Sequence, residues 1–187
     1  MKLEVCVADA ESLAAAVRGG ADRIELCSAL ELGGLTPLPG LVSLAAQVPV
    51  PVYALVRPRS GDFVYGSADT DAMRRDIDAI RAAGLAGVVI GASRPNGELD
   101  VPLLTQLMQH ATGLGTTLHR AIDLVPDFIA ATEIAIGLGI ERILTSGGAA
   151  LALDGIDTMA SMHEAAHGRI GIMAGSGVRP ETVRTLV

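Results

Sequence analysis

At 187 residues the chain is long enough for one substantial domain with a well-buried core. Half of its residues are hydrophobic, only 2% are aromatic and 22 are glycine, a balance that suits an aliphatic sheet under alanine-rich helices. The net charge of -7 and the lack of a basic stripe with aromatics set aside nucleic acid and anionic membrane surfaces as partners.

The opening MKLEVCVADAES is read as neither a signal nor a transit peptide, because Glu4 and Asp9 break its apolar run. Later apolar runs are too short for a membrane span, so the expectation is a cytoplasmic protein whose two cysteines, Cys6 and Cys27, are reduced thiols. Short aliphatic runs follow in order: LEVCV (3–7), RIELC (23–27), VYALV (52–56), GVVIG (87–91), TTLHR (116–120), RILTS (142–146) and RIGIM (169–173). Segments with helical spacing, such as AESLAAAVRGG and DTDAMRRDIDAIRAAG, lie between them. This alternation predicts βαβ units and a parallel sheet. Gly20, Gly84 and Gly139 each close a helical segment before a strand, where a left-handed cap is wanted. GADRIEL, GLAGVVI and GIERILT repeat one pattern, and no linker interrupts the chain, so residues 1–187 are read as a single domain.

Seven strands suit either an open doubly wound sheet or a TIM-type (β/α) barrel. The open sheet would place a glycine-rich nucleotide loop after its first strand, and VADAES has no glycine. Alternation puts Leu3, Val5 and Val7 on the helix side of strand one and leaves Glu4 and Cys6 on the other. Strand two likewise turns Ile24 and Leu26 to the helices and leaves Glu25 and Cys27 opposite. Polar residues on that face suit a barrel interior, so the expectation is a (β/α) barrel. Such barrels work at the C-terminal ends of their strands. There this sequence gathers Glu25 and Cys27, then Arg57 and Arg59, then His119, Arg120 and Asp123, then Thr145 and Ser146.

Each group has a chemical and a bland reading. Cys6 and Cys27 lie on one face of adjacent strands, and two thiolates suit Cu(I), a soft ion that accepts few ligands. Buried cysteines also simply fill space. In RPRSGDFVY, Pro58 separates Arg57 and Arg59, and Asp62 can orient one guanidinium, an arrangement for gripping carboxylate or phosphate. The bland reading pairs both arginines internally with Glu25 and Asp123. His119 beside Arg120 and Asp123 suits an acid, a base or a metal ligand, or a hydrogen-bonded core histidine. His110, His163 and His167 fall on helical segments and read as surface residues. IMAGSGVRPET sets Gly175 and Gly177 before a helix expected near Pro180, and Gly147 and Gly148 follow Ser146, so backbone N–H groups there suit an anion. The single lysine, Lys2, precedes strand one at the wrong end of the barrel, which excludes a Schiff-base aldolase. No nucleotide or pyridoxal phosphate is expected.

Taken in order, GGADRIELCSALELGGLTP, RPRSGDFVY, TTLHRAID, RILTSGG and IMAGSGVR resemble the CutC copper-homeostasis family over essentially the whole chain. The resemblance implies a (β/α)₈-type barrel, a cytoplasmic location and a link to copper handling. Family members continue through an eighth strand and helix, whereas this sequence stops at Val187. The expectation is therefore a barrel lacking its eighth βα unit, whose open edges a homo-oligomer covers. Two functions remain from the sequence. One is copper homeostasis with Cu(I) held by Cys6 and Cys27. The other is an enzyme on a small anionic ligand, with Glu25 and His119 as acid and base and Arg57 and Arg59 as the clamp.

Overall fold

The computed structural model describes residues 2–186. Met1 and Val187, the ends of the expected 1–187 domain, lie outside the described residues. Strands β1 (Glu4–Val7), β2 (Arg23–Leu26), β3 (Val52–Leu55), β4 (Gly87–Ile90), β5 (Gly115–Leu118), β6 (Arg142–Thr145) and β7 (Gly171–Ala174) alternate with helices. The helices are α1 (Ala10–Arg18), α2 (Pro39–Ala45), α3 (Ser67–Ala82), α4 (Val101–His110), α5 (Phe128–Gly137) and α6 (Ile156–Ala166). The chain forms two compact units, Met1–Ile90 with Gln109–Thr116, and Gly91–Met108 with Thr117–Val187.

In the first unit β1, β2, β3 and β4 pair parallel in chain order, with Cys6 opposite Glu25 and Val7 opposite Leu26. β2, β3 and β4 are buried along their whole length, as parallel strands covered on both faces must be. On α3, Met73, Ile77 and Ile80 recur at helical spacing and are all buried. Asp9 starts α1 by accepting the Ser12 N–H at 2.8 Å, and Arg18 lies in its last turn, where the helix dipole favours a cation. In the interior, Gly87 and Gly115 lie flat against the Tyr53 ring. A Cβ would come within 2.2 Å of that ring from Gly87 and within 2.0 Å of its hydroxyl from Gly115, so neither site has room for a side chain. The Arg23 guanidinium lies over the same ring, 5.4 Å from its centroid.

In the second unit β6 pairs parallel with Thr117 and Leu118 of β5 and with all of β7. Leu104 and Leu107 of α4, Ala135 of α5, Met162 of α6 and Ile143 of β6 are all fully buried. Asp127 caps α5 by accepting from Ile129 and Ala130.

The parallel alternation is as the periodicity predicts, and Gly20, Gly84 and Gly139 all adopt positive φ. Three local expectations differ. β5 ends at Leu118, so His119 and Arg120 leave the strand, and His119 instead caps a 3₁₀ turn over Arg120–Leu124. Leu3 is 52% exposed rather than covered by a helix. The segment after Pro180 forms a short 3₁₀ turn, Val183–Thr185, in place of the expected helix start. Pro180 presets a φ that both kinds of turn share, and the segment closes with i→i+3 bonds, Thr182 N to the Arg179 carbonyl and Thr185 N to the Thr182 carbonyl.

Candidate metal centre

Cys6, Glu25 and Cys27 come together in the first unit, with one ligand atom from each within 4.8 Å of the others. Strand alternation and register produce this grouping. Cys6 and Glu25 are direct partners across the β1–β2 ladder, and Cys27 follows two places beyond Glu25 on the same face. The two Sγ atoms are 3.4 Å apart. Cys6 is exposed and Cys27 is buried at 1% exposure, so one thiol meets solvent and its neighbour does not.

The surroundings are acidic. Burial and the nearby Glu4 charge push the Glu25 carboxyl up to about 7, opposed by its hydrogen bond with Cys6 and by the Arg23 charge. The Cys27 thiol is raised well above its ordinary value by its hydrogen bond with Cys6 first, then by burial and by the Glu25 charge. Glu4 itself is paired with Arg23, a buried ion pair one layer nearer the start of the strands. Glu4 lies on the same face of β1 as Cys6, two residues before it, and belongs with the site although it was not among the expected ligands. The alternation that joined Cys6 to Glu25 was the signal for it.

Arg57 and Arg59 are both committed to the protein. Arg57 is 6% exposed and donates to the carbonyls of Leu32, Gly34 and Gly61, each at 2.9 Å. Its plane lies 4.9 Å from the Phe63 ring. Arg59 donates to Asp62 at 2.8 Å and to Asp69 at 3.2 Å, and stacks over Tyr65 at 5.3 Å. Within the first unit the near acceptors are loop carbonyls, the Asp62 carboxylate and the α3 carboxylate of Asp69, in place of the expected Glu25. Phe63 and Tyr65 were missed as partners of the arginines. Their i, i+2 spacing in DFVY was the available sign.

The seven residues expected to share a mouth divide between the units, with Glu25, Arg57, Arg59 and Asp62 in the first and His119, Arg120 and Asp123 in the second. His119 is buried, accepts the Ala121 N–H at Nδ1 over 3.1 Å, and packs against Gly91, where a Cβ would come within 2.3 Å of the imidazole. Asp123 is the hub of the second unit. It accepts from Arg120 Nε at 2.7 Å, from Ser146 N at 3.0 Å and Oγ at 3.0 Å, from Gly148 N at 3.3 Å, and from the Thr145 hydroxyl. Gly147 N donates to Thr145 Oγ1 at 2.9 Å, and Gly175 N to the Thr145 carbonyl at 2.9 Å. The N–H groups that suit an anion at Ser146, Gly147, Gly148 and Gly175 thus have internal acceptors, chiefly a resident carboxylate. Gly177 has φ +70, which bends the chain after β7.

The sequence profile of the CutC family matches residues 1–187. A CutC family protein of Rhizobium meliloti (strain 1021) is 62% identical over 187 residues, covering all of this chain and 76% of that protein. The chain belongs to the CutC family. A CutC family protein of Caulobacter vibrioides (strain NA1000 / CB15N) is 61% identical over 185 residues, covering 99% of this chain and 76% of that protein. A crystal structure of the proposed copper homeostasis protein CutC from Streptococcus agalactiae superposes with a TM-score of 0.94 at 29% identity, covering 100% of this chain and 93% of that one. An aldolase structure, QR15, superposes at a TM-score of 0.75 with 15% identity, covering 99% and 85% of the two chains, which shows a shared fold. This CutC chain therefore has the TIM-type α/β architecture expected from its strand alternation.

The donor set fits a soft monovalent ion better than a divalent one. Thiolates select Cu(I), which accepts two or three ligands, whereas structural zinc wants four. The acidic surroundings from Glu4 and Glu25 still favour a cation.

Proposed function

We propose that this CutC chain serves copper homeostasis by holding Cu(I) as cargo between Cys6 and Cys27. The observation that carries the reading is the 3.4 Å approach of an exposed and a buried thiol beside Glu25. The copper-homeostasis name of the Streptococcus agalactiae relative supports it. A metal–thiolate bond of about 2.3 Å lets one ion bridge sulfurs up to roughly 4.6 Å apart, so the pair is already inside bridging range. Loading must displace both thiol protons; Glu25 is the adjacent base that accepts one, and solvent at the exposed Cys6 takes the other. The reading places the protein in the cytoplasm, where both thiols stay reduced.

Competition against a Cu(I) chelator tests this. The parent should take one Cu(I) from the chelator, Cys6→Ser and Cys27→Ser should each lose that capacity, and all three proteins should remain folded. Retention of Cu(I) by the double variant would overturn the reading.

A further inference from the structure

Arg57 is buried in the first unit, yet its guanidinium hydrogens go to carbonyls of two separate loops rather than to a carboxylate. Nη1 holds Leu32 and Gly34, and Nη2 holds Gly61. Its backbone adds two more ties to the first of these loops. Arg57 N donates to Thr36 Oγ1 at 3.0 Å, and Thr36 N donates to the Arg57 carbonyl at 3.0 Å. One residue therefore makes four hydrogen bonds to the 32–36 segment. The two from the guanidinium are charge-assisted and about twice as strong as neutral ones.

That segment lies over the buried thiol. Gly34 has φ +86, and a Cβ there would come within 2.8 Å of Leu55 and 3.5 Å of Cys27 Sγ. Only glycine lets the backbone turn left-handed and settle this close. Ser28, next in the chain after Cys27, is tied to Leu35 by two backbone bonds at 3.0 and 2.8 Å. Leu55 and Cys27 belong to one buried cluster with Tyr53 and Val89. The thiol is thus closed in by the doubled-back loop and by the cluster beneath it.

We infer that Arg57 is a positioning residue that fastens the 32–36 segment as a cover over Cys27 and so controls access to that thiol. Given the Cu(I) reading, on which its meaning rests, the ion enters through the exposed Cys6, whose Sγ already lies 3.4 Å from that of Cys27, while the cover keeps the buried thiol closed to other reagents. Lysine cannot replace the guanidinium, because an ammonium does not offer the planar fork that reaches two loops at once.

The test is the rate at which Ellman's reagent reacts with Cys27 in a Cys6→Ser background, without metal. The parent should react slowly. Arg57→Ala should accelerate the reaction about tenfold or more through easier local opening, with Arg57→Lys accelerated less. Gly34→Ala, which lifts the same segment while keeping Arg57, should also accelerate it, and it carries the test if Arg57→Ala does not fold. Ile77→Ala, a buried change on α3, supplies a control destabilised globally. A rate for both Arg57→Ala and Gly34→Ala within about twofold of the parent, or an equal acceleration in the Ile77→Ala control, would overturn the inference. Because the readout is metal-free, its failure is distinguishable from failure of Cu(I) binding.

Discussion

The Sγ atoms of Cys6 and Cys27 approach to 3.4 Å although the residues are offset by two places across the β1–β2 ladder, where Cys6 pairs with Glu25. Strands about 4.8 Å apart, rising about 3.3 Å per residue, put Cα atoms with that offset roughly 8 Å apart. A disulfide tolerates Cα separations only up to about 6.8 Å. The side chains lean together while the backbones stay too far apart to form a disulfide. Oxidation with diamide should therefore leave both thiols titratable and produce no intramolecular crosslink by mass spectrometry. Rapid quantitative crosslinking would show that the backbones approach more closely than the ladder allows.

Glu25 predicts a pH dependence of stability. Its carboxyl is raised in the folded protein from 4.5 to about 7, so the folded state binds the proton more tightly than the unfolded state. The stabilisation is complete below about 4.5 and is lost as the pH rises through about 7. The loss amounts to about 3 kcal/mol across that window, at 1.36 kcal/mol per unit. Denaturant unfolding of the metal-free protein should show this decline, and Glu25→Gln should remove it. Parallel pH curves for parent and variant would contradict the assignment.

Asp123 acts in the second unit as a built-in anion for the loop after β6, accepting from Arg120, Thr145, Ser146 and Gly148. Asp123→Ala leaves those donors without their carboxylate and should cost about 3 kcal/mol or more of stability. Formate, a free carboxylate small enough for the vacated space, should restore part of the loss in thermal unfolding, while equal ionic strength as chloride should not. Identical recovery in the two salts would mean the donors find other partners.

The elements were legible because their signals are local. Val, Ile and Leu runs marked β1 to β6 within a residue or two, and Gly20, Gly84 and Gly139 marked the helix ends because a left-handed cap has a recognisable residue. The Cys6, Glu25 and Cys27 group was also legible, since period-two alternation on two adjacent strands puts all three on one face. The fate of Arg57 was not. Two arginines at a strand end read the same whether they face a ligand or a carbonyl. The carbonyls of Leu32, Gly34 and Gly61 carry no signature in the sequence, because every residue has one. The role of Asp123 was hidden for a related reason, its partners being backbone N–H groups more than twenty residues away. The turn after Pro180 was misread because proline opens a 3₁₀ turn as readily as an α-helix.

The measurement that bears most directly on the account is X-ray absorption at the copper edge of the protein loaded with one equivalent of Cu(I). The account predicts a first shell of two sulfurs in the parent and a single sulfur in Cys27→Ser, with the Arg57→Ala variant keeping both. A shell dominated by nitrogen or oxygen, or one that is unchanged when Cys6 and Cys27 are both replaced by serine, would contradict it.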